Sequence, residues 1–291
     1  MSAIRFDDRV AVITGAGGGL GRSYALYLAA RGAKIVVNDL GGSTDGQGND
    51  SRAADAVVAQ IQDLGGVAVA NYDSVATAQG GERIIQTAMD TFGTVDIVIN
   101  NAGILRDASL VKMSAESFDA LIDVHLKGAF YVTQPAFRVM KEKGYGRVVY
   151  TASGAGLFGN FGQANYAAAK MGLVGLSSVT AIEGAKYNIK SNVITPIART
   201  RLTEGVMGAT GEMFAPVYIA PMVAYLVSEA CEYTHEIFNV GAGRYSRIFV
   251  ASAPGWNAPA GTTPSVEDIR DQLAVITSTA SYKIPANAAD A

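Results

Sequence analysis

RVAVITGAGGGLGR, residues 9–22, is the stretch that decides the fold of this chain. Its first part, Arg9–Thr14, is a short apolar, β-branched run with the length of one buried strand. Glycines 15, 17, 18, 19 and 21 follow, and helical spacing begins at Leu20. A glycine-rich turn between strand and helix lets backbone N–H groups at the helix start approach a pyrophosphate. Gly15, Gly19, Leu20 and Gly21 are therefore expected at a phosphate site. Their spacing, Thr-Gly-x-x-x-Gly-x-Gly, differs from the strict Gly-x-Gly-x-x-Gly dinucleotide pattern. Taken alone, such a run is also what an ordinary tight turn requires.

The rhythm continues outward from this unit. Residues 34–38, 67–71, 95–99, 147–151, 190–194 and 236–240 read as further buried strands. Helical spacing fills 20–31, 51–64, 80–92, 115–141 and 163–186, and a helix is expected near 216–228. Proline bends a helix interior, so 115–141 is expected to break near Gly128 and at Pro135. Regular alternation implies an α/β fold: a doubly wound, Rossmann-type, seven-stranded parallel sheet with helices on both faces. Gly41–Asp50 is a long polar loop, a solvated surface loop or part of a site with equal warrant. Beyond Gly243 the chain reads as irregular, with a weak helix at 266–276.

Composition limits the function. A net charge of -3 argues against general attraction to nucleic acid. No apolar run is long enough for a membrane span. Cys231 has no intramolecular disulfide partner, no metal site is expected, and no secretory signal or Ser-Lys-Leu ending is seen. These features predict a soluble, cytoplasmic protein.

Asp39 ends the second strand, 20 residues after Gly19, where a carboxylate can accept hydrogen bonds from an adenosine ribose and repel a 2′-phosphate. With no Lys or Arg beside it, the expected cofactor is NAD. Asp73, Ser74 and Val75 follow the third strand and are placed to meet the adenine edge. Asn101, Ala102 and Gly103 follow the fourth, at the edge where ligands bind in open α/β sheets.

The reacting groups lie downstream. Tyr166 and Lys170 stand at i and i+4, on one helix face. A neighbouring ammonium favours the phenolate, which predicts a lowered Tyr166 pKa. Ser153 can hold the oxygen of a substrate that Tyr166 protonates or deprotonates. Phe158, Phe161 and Tyr187 are assigned by default to core packing, with pocket or subunit contact as the alternative.

The glycine turn, Asn-Asn-Ala-Gly, Ser153 and Tyr-x-x-x-Lys, in this order, resemble the short-chain dehydrogenase/reductase family over roughly residues 5–245. The resemblance implies residues 1–245 as the dehydrogenase domain and 246–291 as a C-terminal extension. It implies Tyr166 as acid/base, Lys170 on the nicotinamide ribose and Ser153 on the reacting oxygen. Pro196, Ile197 and Thr200 would line the nicotinamide, and residues 199–215 would form the substrate loop. Family members usually carry asparagine where this chain has His125, and its backbone carbonyl holds a relay water; His125 is accordingly a candidate in that relay. Asn38–Gly42, Ala70–Val75, Gly103–Asp107, Gly159–Tyr166 and Val240–Gly243 are similar to the (3R)-hydroxyacyl-CoA dehydrogenase domains of type 2 peroxisomal multifunctional enzymes, also described as 17β-hydroxysteroid dehydrogenase type 4. That likeness implies NAD-dependent oxidation of an acyl-CoA or steroid side-chain alcohol by a stand-alone homodimer or homotetramer. A steroid ring alcohol, reduction of a 3-oxoacyl thioester, and a catalytically silent nucleotide-binding subunit are the alternatives.

Overall fold

Apolar runs bounded by glycine, asparagine and aspartate become strands, most of them buried on both faces as a parallel sheet covered by helices demands. In a computed structural model that describes residues 3–203 and 213–290, these are β1 (Val10–Thr14), β2 (Lys34–Asn38), β3 (Val67–Asn71), β4 (Ile97–Asn100), β5 (Gly146–Thr151), β6 (Ile189–Ile197) and β7 (Ile237–Gly241). All five residues of β1 are buried. The sheet order is β3-β2-β1-β4-β5-β6-β7-β8. Residues 67–71, expected to be a buried strand, therefore lie at the sheet edge, with only Asn71 buried. Val12 is paired in parallel with Val36 on one side and Val98 on the other. The chain reverses its winding between β1 and β4, and a crevice opens there beyond the strands' carboxyl ends.

The eighth strand, β8 (Arg244–Ile248), corrects the expected count of seven. It lies where the sequence reads as irregular because Arg244, Tyr245 and Arg247 leave no apolar run. The turn before it explains its presence. Ala242 and Gly243 both take left-handed φ, +49° and +75°, as a two-residue hairpin turn requires.

The helices that follow β1 to β5 are α1 (Gly19–Ala29), α2 (Arg52–Asp63), α3 (Ala78–Phe92), α4 (Ala115–Leu121), α5 (Gly128–Lys143), α6 (Gly154–Phe158) and α7 (Ala164–Gly184). The expected breaks at Gly128 and Pro135 take another form. Ile122–Lys127 is a π-helical turn that joins α4 to α5, and Pro135 sits inside α5 without ending it. The Tyr131 carbonyl, which the missing Pro135 N–H cannot reach, faces Gly81 of α3, where a Cβ would lie 2.4 Å from that oxygen. Strand β6 also runs further than expected, through Pro196 to Ile197, with Pro196 paired to Val240. The helix expected at 216–228 is a 3-10 turn, Pro216–Tyr218, followed by α8 (Ala220–Leu226).

The chain falls into two compact units, Met1–Arg247 and Ile248–Ala291. The second contains α9 (Val266–Ile276), as the sequence predicts, started by a capping box in which Ser265 and Asp268 satisfy each other's backbone N–H. Phe249 stacks on Tyr282 in the same unit. No helix among the described residues is long and apolar enough to cross a membrane.

Candidate active site

A cavity of about 600 Å³ opens beyond the carboxyl ends of the strands on either side of the β1–β4 switch. It brings together Gly15, Gly19, Leu20, Asp39, Asp73, Ser74, Val75, Asn101, Ala102, Gly103, His125, Ser153, Tyr166, Lys170, Pro196, Ile197 and Thr200. Of the expected site residues only Gly21 is not on its wall. Its role is steric: a Cβ at Gly21 would stand 2.3 Å from the Gly15 carbonyl oxygen, closing the turn.

Turn and strand end are latched together. Thr14 Oγ1 accepts N–H bonds from Asn101 and Ala102 at 3.0 and 3.1 Å. Asn101 Nδ2 donates to the carbonyls of Thr14 and Gly15 at 3.0 and 3.1 Å. Gly15 has φ +64°, and a Cβ there would meet Ala102 Cα at 2.8 Å. Gly18, by contrast, faces open space. Asp39 Oδ2 accepts the Gly17 N–H at 2.7 Å, and Oδ1 accepts the Gly41 N–H at 2.7 Å. Each oxygen keeps a second lone pair for an outside donor. An open glycine turn at a helix start, with an acidic side chain held beside it, fits a dinucleotide. Asp73 is more committed: Arg83 Nε and Asn71 Nδ2 donate to its carboxylate at 2.6 and 2.9 Å.

The long polar loop belongs to this site. Gly42, Ser43 and Thr44 line the cavity, and the loop crosses to the segment after β4. Leu105 N–H donates to the Thr44 carbonyl at 2.9 Å, and Arg106 Nε donates to the Asp45 carbonyl at 2.8 Å. Gly41, at φ +75°, allows the sharp departure; a Cβ there would lie 2.0 Å from the Asp50 carbonyl oxygen.

Ser153 lies two residues past β5 and caps α6, its Oγ accepting the Ala155 N–H at 3.2 Å. Lys170 is buried, and its Nζ donates to the Thr151 carbonyl at 2.6 Å while standing 5.3 Å from the Tyr166 ring centroid. The expected lowering of the phenol by this lysine is not found. Burial, only partly opposed by the Ser153 hydroxyl, pushes Tyr166 up to about 12. Burial also pushes Lys170 down to about 7. Both shifts have one cause: dense protein around the phenol and the amine disfavours phenolate and ammonium alike. With a value near 7 the amine is only partly charged at neutral pH, too weak a cation to offset the burial of the phenol, which the spacing alone does not reveal.

His125 lies in the π-helical turn, buried edge-on to Tyr166 with ring centroids 5.3 Å apart. The Ile104 N–H donates to Nε2 at 3.0 Å, and the Ile104 carbonyl oxygen is 2.8 Å from the same nitrogen. Burial, then the Lys170 charge, holds the imidazole well below its usual range, so it is neutral. In either tautomer Nδ1 is buried without a partner, as is Asn100 Oδ1. Both residues and Lys170 border a second cavity of about 10 Å³, close to the size of one water molecule.

Sequence reasoning passed over Asn165, which is fully buried beside the tyrosine. Its Nδ2 donates to the carbonyls of Arg106 and Ser117, and its Oδ1 accepts the Tyr166 N–H at 2.8 Å. An asparagine at a helix start, next to the candidate tyrosine, was the available signal. Leu105, Asp107 and Gln163 were also missed as lining residues. Phe158 and Phe161 are 75 % and 89 % exposed, which overturns their assignment to the core. Of the expected substrate loop, residues 204–212 lie outside the described residues; Thr200 and Arg201 reach the cavity wall.

Comparison with known proteins agrees with this geometry. The family model for short chain dehydrogenases matches residues 9–207. A Mycobacterium tuberculosis protein described as a short-chain type dehydrogenase/reductase is 52% identical over 278 residues, covering 95% of this chain and 96% of the relative. The mouse peroxisomal multifunctional enzyme type 2 is 51% identical over 276 residues; the match covers 93% of this chain and 37% of that enzyme. The structure of the full-length Drosophila melanogaster enzyme of the same name is similar with a TM-score of 0.81 and 42% identity, over 96% of this chain and 47% of that one.

Proposed function

This chain belongs to the short-chain dehydrogenase family, and from that premise we propose that it oxidises a (3R)-3-hydroxyacyl-CoA to the 3-ketoacyl-CoA with NAD as hydride acceptor. The observation that carries the reading is convergence: Ser153, Tyr166 and Lys170 share one cavity wall with the open glycine turn and Asp39. The substrate class is supported by the strings around Asp39, Val75, Arg106 and Tyr166 and by the likeness to peroxisomal multifunctional enzymes.

Each side chain then has a task. The Ser153 hydroxyl holds the C3 oxygen, and Tyr166 exchanges its proton with that oxygen. Lys170, tied to the Thr151 carbonyl, presents its amine to the cofactor ribose and, when charged, favours the phenolate. His125 fixes the Gly103–Ile104 wall through its ring nitrogen; a Cβ at Gly103 would stand 2.5 Å from that ring. NAD, when bound, supplies the hydride acceptor. Exposed Phe118, Phe130, Met171, Val179 and Ile182 on α4, α5 and α7 support assembly of copies through these helices.

The test is NADH formation with (3R)- and (3S)-3-hydroxyacyl-CoAs and with steroid alcohols. Turnover of the 3R thioesters alone is expected; activity confined to steroid rings sinks the substrate assignment.

Asp39 gives a second expectation. Asp39→Asn loses the charge that repels a 2′-phosphate and one acceptor for the Gly17 or Gly41 N–H. Charge-assisted bonds contribute about 1.5–3 kcal/mol, so kcat/KM with NAD should drop roughly tenfold or more while the NADP-to-NAD ratio rises. A wild-type enzyme that uses NADP as readily as NAD contradicts this account.

A further inference from the structure

We propose that Leu110, Val111, Phe158 and Phe161 form an apolar shelf at the cavity mouth, on which the substrate's alkyl chain lies. This rests on the hydroxyacyl thioester reading above and adds to it the residues that set chain-length preference.

Two segments build the shelf. One leaves β4 and the other leaves β5, so they emerge side by side at the carboxyl edge of the sheet. They are fastened to each other: Ala108 N–H donates to the Gly162 carbonyl at 2.9 Å, and Gln163 Nε2 donates to Asp107 Oδ2 at 2.8 Å. Asn165 adds a bond from its Nδ2 to the Arg106 carbonyl at 3.0 Å. Asp107, Gly159, Asn160 and Gln163 of these segments line the cavity that holds Ser153 and Tyr166. Phe158 and Phe161 directly flank the lining pair Gly159 and Asn160, and Leu110 and Val111 follow the lining Asp107 by three and four residues, just outside the cavity wall.

Their exposure sets them apart. Leu110, Val111, Phe158 and Phe161 are 78, 97, 75 and 89 % exposed. Among the described residues of the Met1–Arg247 unit these are the four most exposed large apolar side chains, and all belong to these two mutually hydrogen-bonded segments. Apolar side chains scattered singly over a surface need no explanation, but four on two joined segments that also line the cavity of Ser153 and Tyr166 do. The site fixes what reaches it. The C3 carbon held at Ser153 and Tyr166 carries two arms, the thioester and the alkyl chain, and of the two an apolar rim suits the alkyl arm. The shelf side chains offer no charge and no hydrogen-bonding group, which suits a saturated hydrocarbon and nothing more polar.

The experiment compares kcat/KM for (3R)-3-hydroxydecanoyl-CoA and (3R)-3-hydroxybutyryl-CoA. In the wild type the longer chain should be preferred. Phe158→Ser/Phe161→Ser and Leu110→Ser/Val111→Ser should each lower the decanoyl-to-butyryl ratio by about tenfold, since each takes away apolar surface that only the longer chain reaches. Leu64→Ser removes a leucine that is 71 % exposed at the C-cap of α2 and should leave the ratio unchanged. A ratio that does not move in either double variant overturns the shelf. So does a shift from oligomer to monomer, read by light scattering, without a change in ratio, because the face is then a contact between copies. If the wild type turns over no hydroxyacyl-CoA, the function reading fails by itself. Calorimetric titration of decanoyl-CoA and butyryl-CoA then decides the shelf: tighter decanoyl-CoA binding that is lost in the double variants supports it, and equal affinities overturn it.

Discussion

Tyr166→Phe is expected to lower kcat by about 10²- to 10⁴-fold, the usual range for removing a general acid–base group, while dinucleotide affinity stays close to wild type. The substitution deletes one hydroxyl and keeps the ring, so the edge contact with His125 at 5.3 Å and the backbone bond from Tyr166 N–H to Asn165 survive. The cofactor side of the cavity, built by the glycine turn, Asp39 and Asn101, is untouched. Steady-state rates with titration of NAD separate the two quantities. Turnover within a few-fold of wild type would remove Tyr166 from the chemistry. Loss of NAD affinity in step with turnover would show that the hydroxyl serves binding instead. Because burial pushes the phenol up to about 12, alcohol oxidation should quicken as pH rises above neutral, and the variant should lose that dependence.

The difference between what was legible in the sequence and what was not follows the range of the forces involved. Apolar runs and glycine turns are local signals, so β1, the turn at Gly15–Gly21 and the pair Tyr166–Lys170 could be read directly. Strand β8 has no such signal, because an edge strand carrying Arg244 and Arg247 needs only a hairpin turn to form. Pro135 marks a helix break in sequence, yet α5 runs through it, and Gly81 of α3 packs closely against the Tyr131 carbonyl that the proline leaves without its helical donor. Burial is set by the whole fold, which is why Phe158 and Phe161 were misassigned and why the Tyr166 pKa moved opposite to expectation. The Gly41–Asp50 loop was undecided because its partners, Leu105 and Arg106, are some sixty residues away along the chain.

Lys170→Met should make the protein more stable near pH 6 and less active at every pH. The stability half follows from the lysine's value of about 7 in the fold against 10.5 for an ordinary lysine. Between these values the unfolded chain holds a proton that the folded chain has released, so stability rises with pH across that window. Below pH 7 both states are charged, and the fold bears the full cost of a buried ammonium. A tenfold change in proton affinity corresponds to about 1.36 kcal/mol, which puts that cost on the order of 5 kcal/mol. Methionine removes it but leaves the Thr151 carbonyl without its 2.6 Å donor, a loss of about 1–3 kcal/mol. The charge cost is the larger, so the net change at pH 6 favours the variant by a few kcal/mol. Urea unfolding of both proteins from pH 6 to 9.5, without added dinucleotide, reads this directly. Wild-type stability should climb across the range and the variant's should stay nearly flat; parallel curves would mean that the amine keeps its ordinary value in the fold. Retention of a buried amine at this cost is what a site selected for chemistry rather than stability would show. The activity half tests that reading in the same protein: a variant that gained stability and kept its turnover would leave Lys170 without a role.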